Sequence, residues 1–251
     1  SLVLIWSHDL GDYNGGSAEL PPGAIADLDG DGLLEIVAGG RAMDGTWTTS
    51  VLDAATGALL DTAPGQPVGV AELSGSGGSA ALVRNGGALV AMSFDGALAT
   101  VWSAPDRALV TYRDPDLRVR QFDGDAVALL DLQPGGSLEL LLRDVQEPRV
   151  LRAVPASTNP PADVATLSLP EDVGIAGVWV FPPLGNSGAQ VAMVATDGIL
   201  NTLDGALAPV SGSLGSGVRV GGYYSGNNAF GLAPLAADVG GAPRLLVNDS
   251  R

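Results

Sequence analysis

The sequence predicts an all-β fold assembled from repeated antiparallel four-stranded sheets, and three observations carry that expectation. Gly and Pro number 36 and 17 of 251 residues, and the apolar residues come as short runs of Val, Leu and Ala, which is the composition of many strands and many turns. A unit of apolar strand, Gly-rich turn and second apolar strand recurs five times: "GAIADLDGDGLLEIVAGG" (23–40), "GVAELSGSGGSAALVRNG" (69–86), "VALLDLQPGGSLELLLRD" (127–144), "GVWVFPPLGNSGAQVAMVATDG" (177–198) and "LAPLAADVGGAPRLLVND" (232–249). Three copies continue into a further strand pair around "ATGAL", "FDGAL" or "LDGAL". There Asp or Thr precedes Gly, which suits the positive φ of a hairpin.

Positions equivalent to Asp27 are Glu72, Asp131, Pro182 and Ala236, spaced by 45, 59, 51 and 54 residues and by 42 around the termini. Four-stranded repeats of this length are the signature of β-propeller blades. The expected architecture is therefore one domain over 1–251 with five blades, near 23–62, 66–103, 126–169, 173–212, and 229–251 together with 1–7. The long second spacing, 59 residues, holds "APDRALVTYRDPDLRVRQFDGD" (104–125), charged and Pro-interrupted, which reads as a loop or extra hairpin. "SLVLIWS" (1–7) resembles the outermost strand "ALATVWS" (97–103), so the N-terminal strand is expected to close the last blade and remove a sheet edge. A chain that opens directly on a strand and is one strand short in its last blade also fits a piece cut from a larger protein.

The formal charge is −16, from 28 acids and 12 basic residues, every one of them Arg. A phosphate-binding surface needs clustered positive charge, so nucleic acid and anionic membrane are poor partners. The lack of Lys fits a GC-rich genome better than a mechanism. Without Cys there is no disulfide, thiolate nucleophile or zinc-thiolate site. No apolar run approaches the roughly 20 residues of a membrane helix, no signal-peptide pattern is present, and direct membrane insertion is not expected.

One turn carries chemistry. Counted from Asp27, side-chain oxygens fall at positions 1, 3, 5 and 9 (Asp27, Asp29, Asp31, Glu35), Gly32 at position 6, and the Leu33 carbonyl at position 7. This is the calcium-loop pattern. The donors are hard oxygens, unsuited to zinc. Position 12 is Ala38, inside the strand "LLEIVAGG", so the loop sits on a β-hairpin with no helix pair to open. One structural calcium ion is expected, with micromolar to millimolar affinity, filled outside a cell.

"ADLDGDGLLEIVAGG" followed by "LDAATGALL" resembles the FG-GAP/VCBS repeat, the blade unit of integrin-α-like propellers and of many secreted bacterial surface proteins. The resemblance is specific over 24–60. It implies calcium at Asp27, Asp29, Asp31, Leu33 and Glu35, and an extracellular or cell-surface location. Other repeats depart from the pattern, with Glu72, Ser74 and Ser76 in the second. In the third, Asp131, Gln133, Ser137 and Glu139 remain, and Asp131, Gln133 and Glu139 are candidates for a second, weaker metal site.

The other singled-out residues have blander readings. His8, near Asp9, Asp12 and Asn14, reads as a surface residue. Trp6 and Trp102 share one position in related strands, which favours packing between blades; Trp47 and Trp179 complete the tryptophans. Tyr223 and Tyr224, flanked by Gly and Asn, are candidates for a ligand rim on a loop. No Gly-x-Ser-x-Gly elbow or His-Glu-x-x-His motif occurs. The expected function is a non-catalytic, calcium-stabilised interaction or adhesion module with a protein or glycan partner. A carbohydrate-binding, lectin-like propeller is the alternative, and a glycoside hydrolase of five-bladed type comes third.

Overall fold

Alternating apolar residues broken by Gly-bearing turns fold the chain into consecutive antiparallel sheets. The computed structural model describes residues 4–10, 23–74, 77–109, 129–130, 138–147, 149–160, 162–170, 175–184, 189–195, 200–210, 235–239 and 242–246. The first sheet runs in the order β1 (Gly23–Ala26), β2 (Glu35–Arg41), β3 (Trp47–Asp53), β4 (Leu59–Pro64). The second repeats it with β5 (Gln66–Glu72), β6 (Ser79–Asn85), β7 (Ala88–Phe94) and β8 (Leu98–Pro105). Each is a strict up-and-down meander, as short turns between antiparallel neighbours require.

These eight strands and the segment 156–161 form one compact unit. Its core lies between the faces of the two sheets. Leu28, Val37 and Val51 of the first meet Ala81, Val83 and Phe94 of the second. The β2 and β3 interiors are buried on both sides of the pleat, which is why they read as continuous apolar runs rather than alternating ones. Gly65, at φ +119°, makes the one-residue step from β4 to β5. A Cβ there would stand 2.6 Å from Val83 and 2.7 Å from the Arg84 oxygen.

Among the described residues, the second unit holds three further sheets. In the first of them, β10 (Leu129–Leu130), β11 (Glu139–Asp144), β12 (Val150–Pro155) and β13 (Ala165–Ser168) follow one another. The short β9 (Arg107–Leu109), from the charged stretch after β8, lies at the boundary between the two units. Next come β14 (Ile175–Leu184), β15 (Ala189–Ala195) and β16 (Leu200–Leu203), and finally the pair β17 (Leu235–Val239) and β18 (Ala242–Leu246). Leu141, Leu151 and Ala153 pack with Val191, Met193, Leu203 and Leu207 as this unit's core.

Three expectations are corrected. Residues 4–7 form no strand; Trp6 instead donates its indole N–H to the Ala54 carbonyl at 3.2 Å, and lies over Gly57, where a Cβ would run into the ring. An aromatic body with one polar handle satisfies both on the β3–β4 hairpin, and a paired strand is not needed to hold it. Pro182 and Ala236 do not sit in turns but inside β14 and β17. The register of β14 against β15 breaks between Val180 and Leu184, because Pro182 and Pro183 have no N–H to give the ladder. In "LDGAL" the positive φ falls on Leu207, at +58°, while Asp204 takes the Ala206 and Ala208 amides on Oδ1. Burial of Leu207 in the core outweighs the one to two kcal/mol or so that a left-handed backbone costs a branched residue.

Asp61 on β4 ties the first sheet to the second by accepting the Leu98 N–H of β8 at 2.6 Å. The Leu98 amide, then that of Thr62, holds its carboxyl below the ordinary value. A depressed pKa contributes stability that is fully present above the unfolded value of about 3.9 and is lost as pH falls through the folded one. Asp61→Asn should therefore flatten the acid limb of stability against pH below about pH 4, followed by circular dichroism. An unchanged limb would remove Asp61 from this link.

Candidate metal centre

The β1–β2 turn is built around its own carboxylates. Ala26 and Glu35 are the last pair of the ladder, leaving eight residues to cross between them, and the acidic side chains organise that crossing by taking up its amides. Asp27 accepts Gly30 N–H on Oδ1 at 2.7 Å and Gly32 N–H on Oδ2 at 3.0 Å. Asp29 Oδ1 accepts from Asp31 at 3.1 Å, and Asp31 Oδ1 accepts from Leu33 at 2.7 Å. Such side-chain turns favour Asp at each of these places. Gly30 and Gly32 take φ of +81° and +89°, values that L side chains rarely reach.

Two residues fasten this turn to the fold. Leu28 is 3 % exposed and belongs to the core between the first two sheets, so the loop is anchored through its one inward-facing apolar side chain. Its amide donates to Glu35 Oε2 at 2.8 Å, and Glu35 is itself 5 % exposed. Leu28 was not a candidate on the sequence; the signal for it is an apolar residue in an otherwise acidic run.

Ligand oxygens of Asp27, Asp29 and Glu35 all lie within 4.8 Å of one another. Asp31 is not among the three, and Leu33 is 64 % exposed. Burial is the main influence raising the Glu35 carboxyl above its ordinary value; the Leu28 amide opposes it, and the charges of Asp29, Asp31 and Asp27 add to the rise. Carboxylates this close, one of them desolvated, are kept together in their charged form only at a cost, which a hard cation would offset. The donor set is all oxygen, as calcium requires.

The remaining candidates divide by position. Glu139 opens β11 opposite Leu130 and is 3 % exposed, the same station that Glu35 occupies opposite Ala26. Asp131 and Gln133 lie outside the described residues, as do Tyr223, Tyr224, Asp12 and Asn14. His8 and Asp9 are exposed. Trp47 carries Arg41 over its ring at 5.8 Å, and its ring also approaches Gly39, where a Cβ would stand 3.2 Å from it. Trp179 sits on β14 opposite Ala192. Trp102 is buried and donates its indole N–H to the Ser157 carbonyl at 2.9 Å.

No family model matches the chain, and no curated protein does. Several solved structures are similar to it. BBS1N, in a crystal structure with ARL6DN, is 15 % identical with a TM-score of 0.47, over 78 % of this chain and 56 % of that one. A candidate 6-phosphogluconolactonase from Bacteroides uniformis is 18 % identical with a TM-score of 0.42, over 70 % and 52 %. Sqt1 from Saccharomyces cerevisiae is 14 % identical with a TM-score of 0.40, over 76 % and 58 %. The chain thus spans a little over half the length of each of these structures.

Proposed function

We propose that the chain is a five-bladed β-propeller whose first blade is held by one structural calcium ion. It acts, on this reading, outside the cell or on its surface as a non-catalytic interaction or adhesion module for a protein or glycan partner. The observation that carries it is the convergence of Asp27, Asp29 and Glu35 at the mouth of a hairpin. Asp31, the Leu33 carbonyl and water are the further oxygens the same loop can offer. The ion supplies positive charge where three carboxylates meet, and so joins the ends of β1 and β2. A site of this kind falls in the micromolar to millimolar range and is filled by the millimolar calcium outside cells.

Two tryptophans support the repeat. Trp6 caps the carbonyl of Ala54, just past β3, and Trp102 caps that of Ser157, just past β12. The third strand of a repeat ends in the same way twice, each time against an indole from elsewhere in the chain.

Isothermal titration with calcium tests the site. Saturable one-site binding in the micromolar to millimolar range is expected, weakened about tenfold or more in Asp27→Asn. No heat at saturating calcium would remove the ion from the proposal. A glycan array read in calcium would convert the module into a lectin if it lit up, and turnover of chromogenic glycosides would overturn the non-catalytic reading.

A further inference from the structure

The acidic loop meets a second element, the turn that opens β6 in the neighbouring sheet. Ser79, the first residue of β6, donates its backbone N–H to the Asp27 carbonyl at 2.9 Å. Gly78 lies so close that a Cβ on it would stand 2.8 Å from the Leu28 carbonyl carbon and 2.9 Å from the Gly30 nitrogen, and would overlap the Leu28 oxygen. From the other side, a Cβ on Gly30 would overlap the Gly77 carbonyl oxygen. Backbone therefore meets backbone, with no room for a side chain on either partner. The grip is confined to the first half of the loop: Gly32 has nothing within 4 Å of its Cβ position, although its φ is as positive as that of Gly30.

The gripped residues, Asp27 to Gly30, carry two of the three converging carboxylates and the Leu28 amide that holds the third. We propose that Gly77, Gly78 and Ser79 are positioning residues for the acidic loop. Docking of the second sheet sets the spacing of Asp27, Asp29 and Glu35, and a cation held there favours docking in return, since coupling between two binding events is reciprocal. The affinity part of this proposal rests on the calcium reading above; the loop-order part does not.

Two variants of the full chain test it. Gly78→Ala inserts a methyl group into the contact. Ser79→Pro removes the N–H that Asp27 accepts and puts a ring carbon in its place, at the first residue of β6, where a strand tolerates proline. Amide hydrogen exchange in chelator should show protection at Leu28 and Gly30 falling roughly tenfold in both, with β2, β3 and β6 interiors unchanged. Calcium titration should show affinity weaker by about five- to tenfold. Gly86→Ala is the control: its φ is +60° and nothing lies within 4 Å of its Cβ position, so it should strain the second sheet and leave loop protection alone. Wild-type protection at Leu28 and Gly30 in both variants would overturn the proposal. So would protection lost evenly across β2 and β6, which marks general destabilisation. Should the wild-type chain bind no calcium, the calcium reading falls and the exchange data alone decide the positioning role.

Discussion

Chelation of calcium should lower the melting temperature of this protein by roughly 5–10 °C. The figure follows from mass action. A site with a dissociation constant on the order of 10 µM in 1 mM calcium adds about 2.7 kcal/mol, and a chain of this length shifts by roughly 2–4 °C per kcal/mol. The sign of a second measurement separates this from a merely acidic turn. Asp29→Asn keeps an oxygen to accept the Asp31 amide, so it removes charge and little else. In calcium it should destabilise, because a ligand is weakened. In chelator it should melt at or above the wild-type temperature, because one of the charges that raise the Glu35 carboxyl is gone and like-charge repulsion falls with it. Differential scanning calorimetry of both proteins in both buffers gives the four values. A solvated turn with no ion predicts the same temperature in calcium and chelator, and that result would sink the reading.

Much of this architecture is legible because its signals are local. Gly-bearing turns between short apolar runs mark strands whatever lies around them, and the sheets β1–β4 and β5–β8 form where those runs lie. The acidic loop is legible for the same reason, since Asp turns bond to amides two to five residues away. What sequence spacing could not show is set by contacts distant along the chain. Asp31 has the right spacing for a ligand, yet the convergence involves Asp27, Asp29 and Glu35, because Glu35 is held by the Leu28 amide and Leu28 by the second sheet. Leu207 takes a left-handed backbone that its side chain disfavours locally, because the second unit's core has a place for it. The close approach of Gly77 and Gly78 to Leu28 and Gly30 has no periodic signature at all; only the Gly pair hints at it.

Trp102→Ala should be the most damaging of these substitutions, at about 3–5 kcal/mol, the range for truncating a buried aromatic. Trp102 is 4 % exposed, and its loss also leaves the Ser157 carbonyl without its 2.9 Å donor. Trp102→Phe keeps most of the apolar volume and should cost nearer 1–2 kcal/mol, since chiefly the hydrogen bond is removed. Urea denaturation of the two variants measures both numbers; equal costs would mean that the capped carbonyl and not the buried volume matters. Trp6 permits a sharper test of the N-terminal segment, because its indole lies where Gly57 has no Cβ. Gly57→Ala pushes a methyl group into the indole and also strains a backbone at φ +71°, but in Trp6→Ala only the strain of about 1 kcal/mol remains. The two substitutions should therefore be strongly non-additive, with a coupling of roughly 1–2 kcal/mol in a double-mutant cycle. If residues 4–7 were an idle tail, Trp6→Ala would cost nothing and Gly57→Ala would cost the same with or without it. A segment that locks the β3–β4 hairpin instead makes both changes destabilise the cooperative transition, seen as a lower midpoint at unchanged slope against urea.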